Sequence, residues 1–179
     1  MVWNKIFGKK KEEEIDPLKD LVLCNLKTGY LVDYDMKTWS VTAHNKCEWG
    51  EGELSDEWEL SSEDEVLYLE REEDDEVEWT LTKKIPISEV GKEIPGYIKE
   101  HEDSPDKITF QDKKYHLEDC SGGRFHKGGK DSYDEFISWD YEDESEEYIL
   151  TIEQWSETSF EAAYGKYVEE YQFTNILPK

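Results

Sequence analysis

Basic residues are scarce in this chain of 179 residues, and arginine is the scarcest of them. There are 21 lysines and arginines against 46 aspartates and glutamates, which gives a net charge of −25. The only arginines are Arg71 and Arg124. Nucleic-acid binding requires a basic surface, and bidentate recognition of phosphate relies on arginine. The composition therefore excludes a nucleic-acid partner. It fits simple solubility, or attraction to a basic protein or another polycation.

Cysteines are also few, and they lie far apart. Cys24, Cys47 and Cys120 form no C-x-x-C pair, so the sequence indicates neither a disulfide framework nor a zinc knuckle. The acidic clusters Glu72–Glu76 and Asp140–Glu147 lack the glycine of a calcium-binding loop and resemble solvated hairpin turns. We therefore predict no metal ion and no cofactor.

Long apolar runs are absent as well. No apolar run comes close to about 18 residues, the length that is typical of a membrane-spanning helix. Near the start, the lysines at 9–11 follow the apolar residues, which is the reverse of the order in a signal peptide. We therefore expect a cytoplasmic protein without an integral membrane segment, in which residues 1–15 form a flexible leader.

Aromatic residues, in contrast, are abundant: the chain has 7 Trp, 11 Tyr and 6 Phe. A hydrophobic fraction of 36% combined with so large a net charge is typical of disordered chains. Each aromatic side chain, however, can bury about 150–250 Å² of surface. We therefore predict a folded domain that has an aromatic core built from alternating strands, under an acidic surface.

Runs of alternating polarity are typical of half-buried β-strands. The clearest run is Leu150–Trp155, which is followed by Phe160–Tyr164. A similar pair with similar spacing comes earlier, at Leu67–Arg71 and Val77–Leu81. From this repeated pattern we predict a mostly β, antiparallel fold. It consists of two similar, tandemly repeated β-rich halves, barrel-like or with strongly bent sheets, joined by a short helical connector.

The expected domain boundaries follow from the same pattern. Residues 16–85 form the first β-rich half, residues 86–105 form the connector with a short helix, and residues 106–179 form the second half with a packed C-terminal tail. Together they make one compact domain. Two stretches with a weaker pattern, residues 45–53 and 120–132, are expected to be loops.

Several segments together resemble a known family. They are LKTGYLVDYDMKTWSVTAHN, EDDEVEWTL, ISWDY, LTIEQW, FEA and the ending EEYQFTNILP. Over nearly its whole length after the leader, the chain is similar to a bacterial domain catalogued as domain of unknown function 4178. The most specific parts are the EQW segment and the QFTNILP ending. The resemblance implies no particular activity, because that family has no assigned activity and no established catalytic residues.

The glycine-rich stretch at 120–130 has the most suggestive chemistry, because it is basic within an acidic chain. Backbone N–H groups in such a loop can bind anions, and Arg124, His126 and Lys130 would contact a carboxylate or phosphate there. The phosphate-binding spacing G-x-x-x-x-G-K-[ST] is missing, however. A plain flexible loop between strands explains the composition more simply.

Nucleophilic catalysis in this stretch would require a thiolate and a base, for which Cys120 with His116 or His126 are the candidates. On a strand, residues four positions apart are separated by about 13 Å. A half-buried, inert thiol is the simpler interpretation, and we predict no catalytic residue.

Tryptophans are interleaved with carboxylates along the chain: Trp39, Trp49, Trp58, Trp79, Trp139 and Trp155. Aromatic faces beside carboxylates bind ammonium groups through cation–π contacts worth about 0.5–2 kcal/mol each. We predict Trp49 and Trp139 as ligand-binding residues, together with Arg124, His126 and Lys130. The alternative is that the tryptophans form the core while the glutamates between them face solvent.

The function that these observations favour is a non-enzymatic binding or assembly module. One alternative is a binder of a cationic ligand, either a polyamine or a basic peptide, through aromatic and carboxylate side chains. The other is an enzyme that uses the glycine-rich stretch at 120–130. An exposed strand edge would also allow homodimerisation.

Overall fold

The computed structural model describes Asp16 and residues 20–178, apart from the side chain of Glu51. The predicted leader, residues 1–15, lies outside the described residues. The described strands are β1 (Leu31–Tyr34), β2 (Lys37–Trp49), β3 (Leu54–Ser61), β4 (Val66–Glu73), β5 (Val77–Ile85), β6 (Lys107–Phe110), β7 (Lys113–His126), β8 (Asp134–Asp143), β9 (Tyr148–Ser156), β10 (Ser159–Tyr167) and β11 (Thr174–Leu177). The α-helices between β5 and β6 are α1 (Ile87–Val90) and α2 (Ile94–His101). None of the described helices is long and apolar enough to cross a membrane.

Eight of the strands close into a ring. Their order is β2-β3-β4-β5-β10-β9-β8-β7, and β7 pairs with β2 to complete the circle. All of these pairings are antiparallel. β1 and β11 extend the sheet beyond β2, and β6 extends it beyond β7. The predicted mostly β, antiparallel fold is therefore confirmed.

Two seams join the first five strands to the next five, and each seam contains a glycine at a close approach. At the β5–β10 seam Gly165 lies opposite Thr82, and a Cβ atom on Gly165 would be 2.1 Å from the carbonyl oxygen of Leu81. At the β2–β7 seam, a Cβ atom on Gly123 would be 2.7 Å from the ring of Phe136. A larger residue at either position would therefore force neighbouring groups apart.

The stretches at 45–53 and 120–132 are largely strand, so the prediction that they are loops is wrong. β2 continues to Trp49, where it pairs with both β3 and β7, and β7 continues to His126, where it pairs with both β2 and β8. Both stretches contain residues that are depleted in strands, namely Asn, Lys and Gly. Pairing between distant parts of the chain overrides that local preference and closes the ring.

Two hydrophobic cores lie against the outer faces of the ring. The first contains Trp39, Trp58 and Trp79, packed with side chains from β1, the segment before β11 and residues 23–26. The second contains Trp139, packed with side chains from α1, α2 and β6. These four tryptophans are buried, as the alternative interpretation of the aromatic pattern predicts.

The two halves have the same order of strands. Each begins with a tight hairpin whose two turn residues have positive φ, Asp35-Met36 in the first half and Gln111-Asp112 in the second. Each continues with a long strand, β2 or β7, that carries a register shift partway along. The tandem repeat itself stays a prediction, as do the boundaries of the halves. The connector contains two helices where the sequence indicates one.

The C-terminal tail returns to the first strand. β11 runs antiparallel to β1, with Leu177 opposite Leu31. Just before β11, Phe173 is buried and stacks on Tyr34 with 4.6 Å between the ring centroids. The tail therefore covers part of the first core.

Candidate functional site

The ring encloses a cavity of about 570 Å³, to which all eight of its strands contribute side chains. Among the residues that the structure describes, fourteen carboxylates and two lysines line this cavity. Seven aromatic side chains complete the wall. The interior of the ring is therefore strongly acidic, and it is the candidate functional site.

Strand alternation explains why the interior is polar. Successive side chains of a strand point to opposite faces. On β9, Leu150 and Ile152 pack in the second core, whereas Glu153 lines the cavity. On β3, Trp58 packs in the first core and Glu57 lines the cavity. The apolar faces of the strands are thus covered from outside, and the carboxylate faces are turned toward one another.

Glu70 of β4 is a strongly perturbed carboxylate of the cavity. Burial raises its pKa well above the usual value, and the charges of Glu72, Glu57 and Asp140 raise it further. A hydrogen bond of 2.7 Å from the Ser55 hydroxyl opposes these effects without overcoming them. Glu57 lies directly opposite Glu70 on the adjacent strand β3, whereas Asp140 belongs to β8 on the other side of the ring, so Glu70 is repelled from both directions.

Glu153 of β9 is perturbed in the same way. Its pKa is raised to about 7, mainly by burial, with contributions from the charges of Glu57 and Glu161. Lys84 opposes the shift, as does a 3.1 Å hydrogen bond from the Trp155 indole N–H. Near neutral pH this side chain therefore exchanges readily between its protonated and charged forms.

Two further carboxylates of the interior have raised pKa values because they are buried. Glu57 accepts a 2.8 Å hydrogen bond from the Asn45 amide, which only partly compensates for the burial. Asp140 of β8 accepts hydrogen bonds from Thr151 at 2.7 Å and from Ser138, and its pKa remains raised. The interior therefore holds several carboxylates whose negative charge lacks full compensation.

Lys84 of β5 is the lysine that is paired within this interior. Its Nζ lies 2.5 Å from Oε2 of Glu161 and 5.0 Å from the centroid of the Tyr68 ring. Burial tends to lower the pKa of Lys84, but the hydrogen bond and charge of Glu161 outweigh burial and raise it. Lys84 is therefore held as an ammonium group.

An aromatic cluster forms part of the cavity wall. The ring of Phe136 stacks on Trp155 at 4.7 Å and meets Trp49 edge-on at 5.3 Å, while Phe125 meets Trp155 at 5.6 Å. Trp49, Phe136 and Trp155 also line a second cavity of about 680 Å³. This cluster therefore separates the acidic interior from the second cavity.

Of the predicted ligand-binding residues, only Trp49 lines the interior, and its indole N–H donates to Ser55 at 3.0 Å. Arg124 lines the second cavity, where its guanidinium lies 3.7 Å from a carboxylate oxygen of Glu48. His126 lies 3.6 Å from the same carboxylate, and its Nδ1 lies 2.9 Å from the backbone oxygen of Lys130. The structure thus places Arg124 and His126 beside the carboxylate of Glu48, while Lys130 contacts His126 through its backbone oxygen.

Trp139 is separate from all of them. It is only 1% exposed in the second core, and its indole N–H donates to Asp103 at 2.9 Å. The neighbouring Cys120 is exposed, but burial of its thiol group and the charges of Asp103 and Asp119 raise its pKa. A nucleophilic thiol requires the opposite shift.

The carboxylates of the interior were not among the predicted site residues. Alternation within the runs Leu67–Arg71 and Leu150–Trp155 places Glu70 and Glu153 on the polar faces of their strands, and in the structure these faces line the cavity. Glu70 and Glu153 share one feature: each lies next to apolar core residues of a strand that pairs with a neighbouring strand on both edges. Among the described residues, no three side chains are grouped closely enough to hold a metal ion.

Comparisons with known proteins identify one family. A family profile described as domain of unknown function (DUF4178) matches residues 27–170, which include the whole ring. The chain is also similar to an uncharacterized protein of Aquifex aeolicus (strain VF5), with 26% identity over 176 residues. That alignment covers 98% of this chain and 96% of the relative. No solved structure matches the chain significantly.

Proposed function

The chain belongs to the family described as domain of unknown function (DUF4178), and we propose that it is a binding module whose ring interior takes up an organic cation. The observation that carries the proposal is the cavity of about 570 Å³ with fourteen carboxylates and two lysines. Cavities of this size are within the usual range for small-molecule sites.

The electrostatics of the interior support a cationic ligand. Glu57 and Asp140 both repel the charged form of Glu70, and burial makes the charged forms of all three carboxylates unfavourable. A bound cation would compensate these charges and lower the pKa of each carboxylate. Because a ligand that prefers the charged form shifts the equilibrium toward it, uptake of the cation should release protons near neutral pH.

The distribution of the carboxylates favours an extended cation over a single metal ion. Glu57, Glu70, Asp140 and Glu153 come from four strands around the ring. A linear molecule with several ammonium groups can reach them one after another, as a polyamine or the lysine side chains of a basic peptide would. The aromatic faces of the wall add cation–π contacts to these charge interactions.

Isothermal titration calorimetry with spermidine tests the proposal. We expect one spermidine per chain, with binding that weakens as salt rises and stabilisation against thermal unfolding. Glu70→Gln/Glu153→Gln should weaken binding by at least about tenfold, since each removed charge acts through a low effective dielectric constant. The matched control is Glu76→Gln/Glu157→Gln, which removes the same charge from the exposed turns after the same two strands.

Two outcomes would contradict the proposal. One is the absence of both heat and thermal stabilisation with spermidine. The other is equal weakening in the interior and control variants, because this would indicate a general surface attraction.

Assembly remains a second candidate, because β6 and β11 each have one unpaired edge among the described strands. We propose that two copies can pair along one of these edges. Light scattering after size-exclusion chromatography tests this, and a monomer at all concentrations would exclude it.

The cytoplasmic location and a basic protein partner also stay proposals. An enzyme that uses residues 120–130 is the weakest candidate, since most of that stretch is β7.

A further inference from the structure

Lys84 is an ammonium group that is already bound inside the acidic cavity. Its four-carbon side chain extends from β5 and places Nζ 2.5 Å from Glu161 of β10, with the Tyr68 ring of β4 at 5.0 Å. The charge of Glu153 also favours its protonated form. An alkylammonium chain thus has a carboxylate partner, an aromatic face and further negative charge at this point.

These partners are the ones that a ligand ammonium group would need. An ammonium group offers three hydrogen-bond donors, and it is attracted by carboxylates and aromatic faces without the planar geometry that a guanidinium requires. Glu161 and Tyr68 come from two different strands, and both are positioned by pairing with β5. The seam therefore forms a subsite for a primary alkylammonium, with one carboxylate and one aromatic face, and a side chain of the protein occupies it.

We propose that Lys84 is a tethered occupant of one ammonium subsite and so determines how many ammonium groups a ligand can place in the ring. This inference rests on the proposed function, since it names the ligand class of the same cavity: linear primary alkylammonium compounds. In the wild-type protein the ligand binds the carboxylates that Lys84 does not reach, such as Glu70. Removal of Lys84 opens the subsite at Glu161 to one more ammonium group.

Lys83 provides a matched control. It precedes Lys84 on β5, but it does not line the cavity, and it pairs with Glu65 at 3.0 Å. Its side chain is 53% exposed, against 44% for Lys84. The two lysines thus have similar exposure and similar ion pairs on opposite faces of one strand.

The first experiment restores the missing group with a small molecule. Lys84→Ala lacks the atoms of an n-propylammonium ion, so n-propylammonium chloride should raise its Tm by several degrees more than sodium chloride at equal ionic strength. The wild-type protein and Lys83→Ala should show no such excess. Equal responses of the three proteins would overturn the inference. If Lys84→Ala does not fold, Lys84→Gln keeps an amide donor and serves in the second experiment.

The second experiment compares spermidine, with three ammonium groups, and spermine, with four, by calorimetry. Lys84→Met or Lys84→Gln should tighten spermine binding by at least about tenfold, and more than spermidine binding, since one competing charge is lost at low effective dielectric constant. Lys83→Met should change neither. If the wild-type protein binds spermidine but the Lys84 variants bind spermine with unchanged affinity, the inference is overturned and the proposed function is upheld. Propylammonium rescue without any spermidine binding supports the subsite and overturns the proposed function.

Discussion

Replacement of Glu153 by glutamine should stabilise the protein at alkaline pH. In the folded chain the pKa of Glu153 is raised to about 7, first by burial and then by the charges of Glu57 and Glu161. Glutamine has nearly the same shape and can still accept the hydrogen bond that Trp155 donates. The substitution therefore removes an unfavourable charge while it leaves the packing of the strand intact.

The direction and size of the effect follow from the pKa difference. Because the folded pKa is raised from 4.5 to about 7, the folded chain binds more protons than the unfolded chain between these values. The stability that Glu153 contributes is thus fully present below about pH 4.5 and is lost as pH rises to about 7. A difference of about 2.5 units corresponds to about 3 kcal/mol. Because Glu153 is only half-buried, solvent screens part of this, and we expect about 2 kcal/mol.

The assay is urea unfolding of the wild-type protein, Glu153→Gln and the exposed control Glu157→Gln at several pH values. At about pH 8 the free energy of unfolding of Glu153→Gln should exceed that of the wild-type protein by about 2 kcal/mol, and at about pH 4 the two should agree. The control should follow the wild-type curve. A Glu153→Gln variant that loses stability at pH 8, or keeps the wild-type pH slope, would refute a buried, protonatable carboxylate at this position.

Two other predictions concern the frame of the ring. Gly165→Ala should destabilise the protein by about 3 kcal/mol or prevent folding, because the new Cβ would overlap the carbonyl oxygen of Leu81. Gly122→Ala, with no atom within 4 Å of the new Cβ, should change the free energy of unfolding by less than about 1 kcal/mol in the same urea titration. Asp143→Asn should destabilise the protein at neutral pH, because hydrogen bonds from Ser145, a lysine and two backbone amides outweigh burial and lower the pKa of Asp143 to about 2. Since that stability is lost as pH falls from 3.8 to about 2, unfolding curves of variant and wild type should converge at about pH 2.

The strands and their buried faces are predictable from alternation of polarity. Leu150 and Ile152 are fully buried, as their period-2 spacing within Leu150–Trp155 indicates. The spacing works here because the apolar face of the strand is covered by a continuous core. The same pattern correctly assigns Trp58 and Trp139 to the interior of the protein.

The β2–β7 seam cannot be predicted from local pattern. The stretch from Asn45 to Trp49 and the glycines at 122–123 contain residues with weak strand propensity. They are strands because they pair with β3 and β8 respectively, and because β2 and β7 also pair with each other at the seam. Gly123 looks like part of a flexible loop in the sequence. In the structure it is buried beside Phe136, where no side chain would fit.

The location of the candidate site depends on that seam. Alternation places Glu70 and Glu153 on the polar faces of their strands, but it cannot distinguish a solvated face from the inside of a closed ring. Closure of the ring at the β2–β7 seam makes the difference, because it turns these polar faces toward one another. The acidic cavity is therefore a property of the topology, and the resemblance to an unassigned family does not supply it.

The most direct test of cation binding inside the ring is ¹³C NMR of the glutamate side-chain carboxyl groups during a titration with spermidine. The account predicts saturable shifts for Glu57, Glu70 and Glu153, in the direction of deprotonation at neutral pH, with little change at the exposed Glu76 and Glu157. Shifts of equal size at exposed and interior glutamates, or unchanged interior resonances, would contradict it.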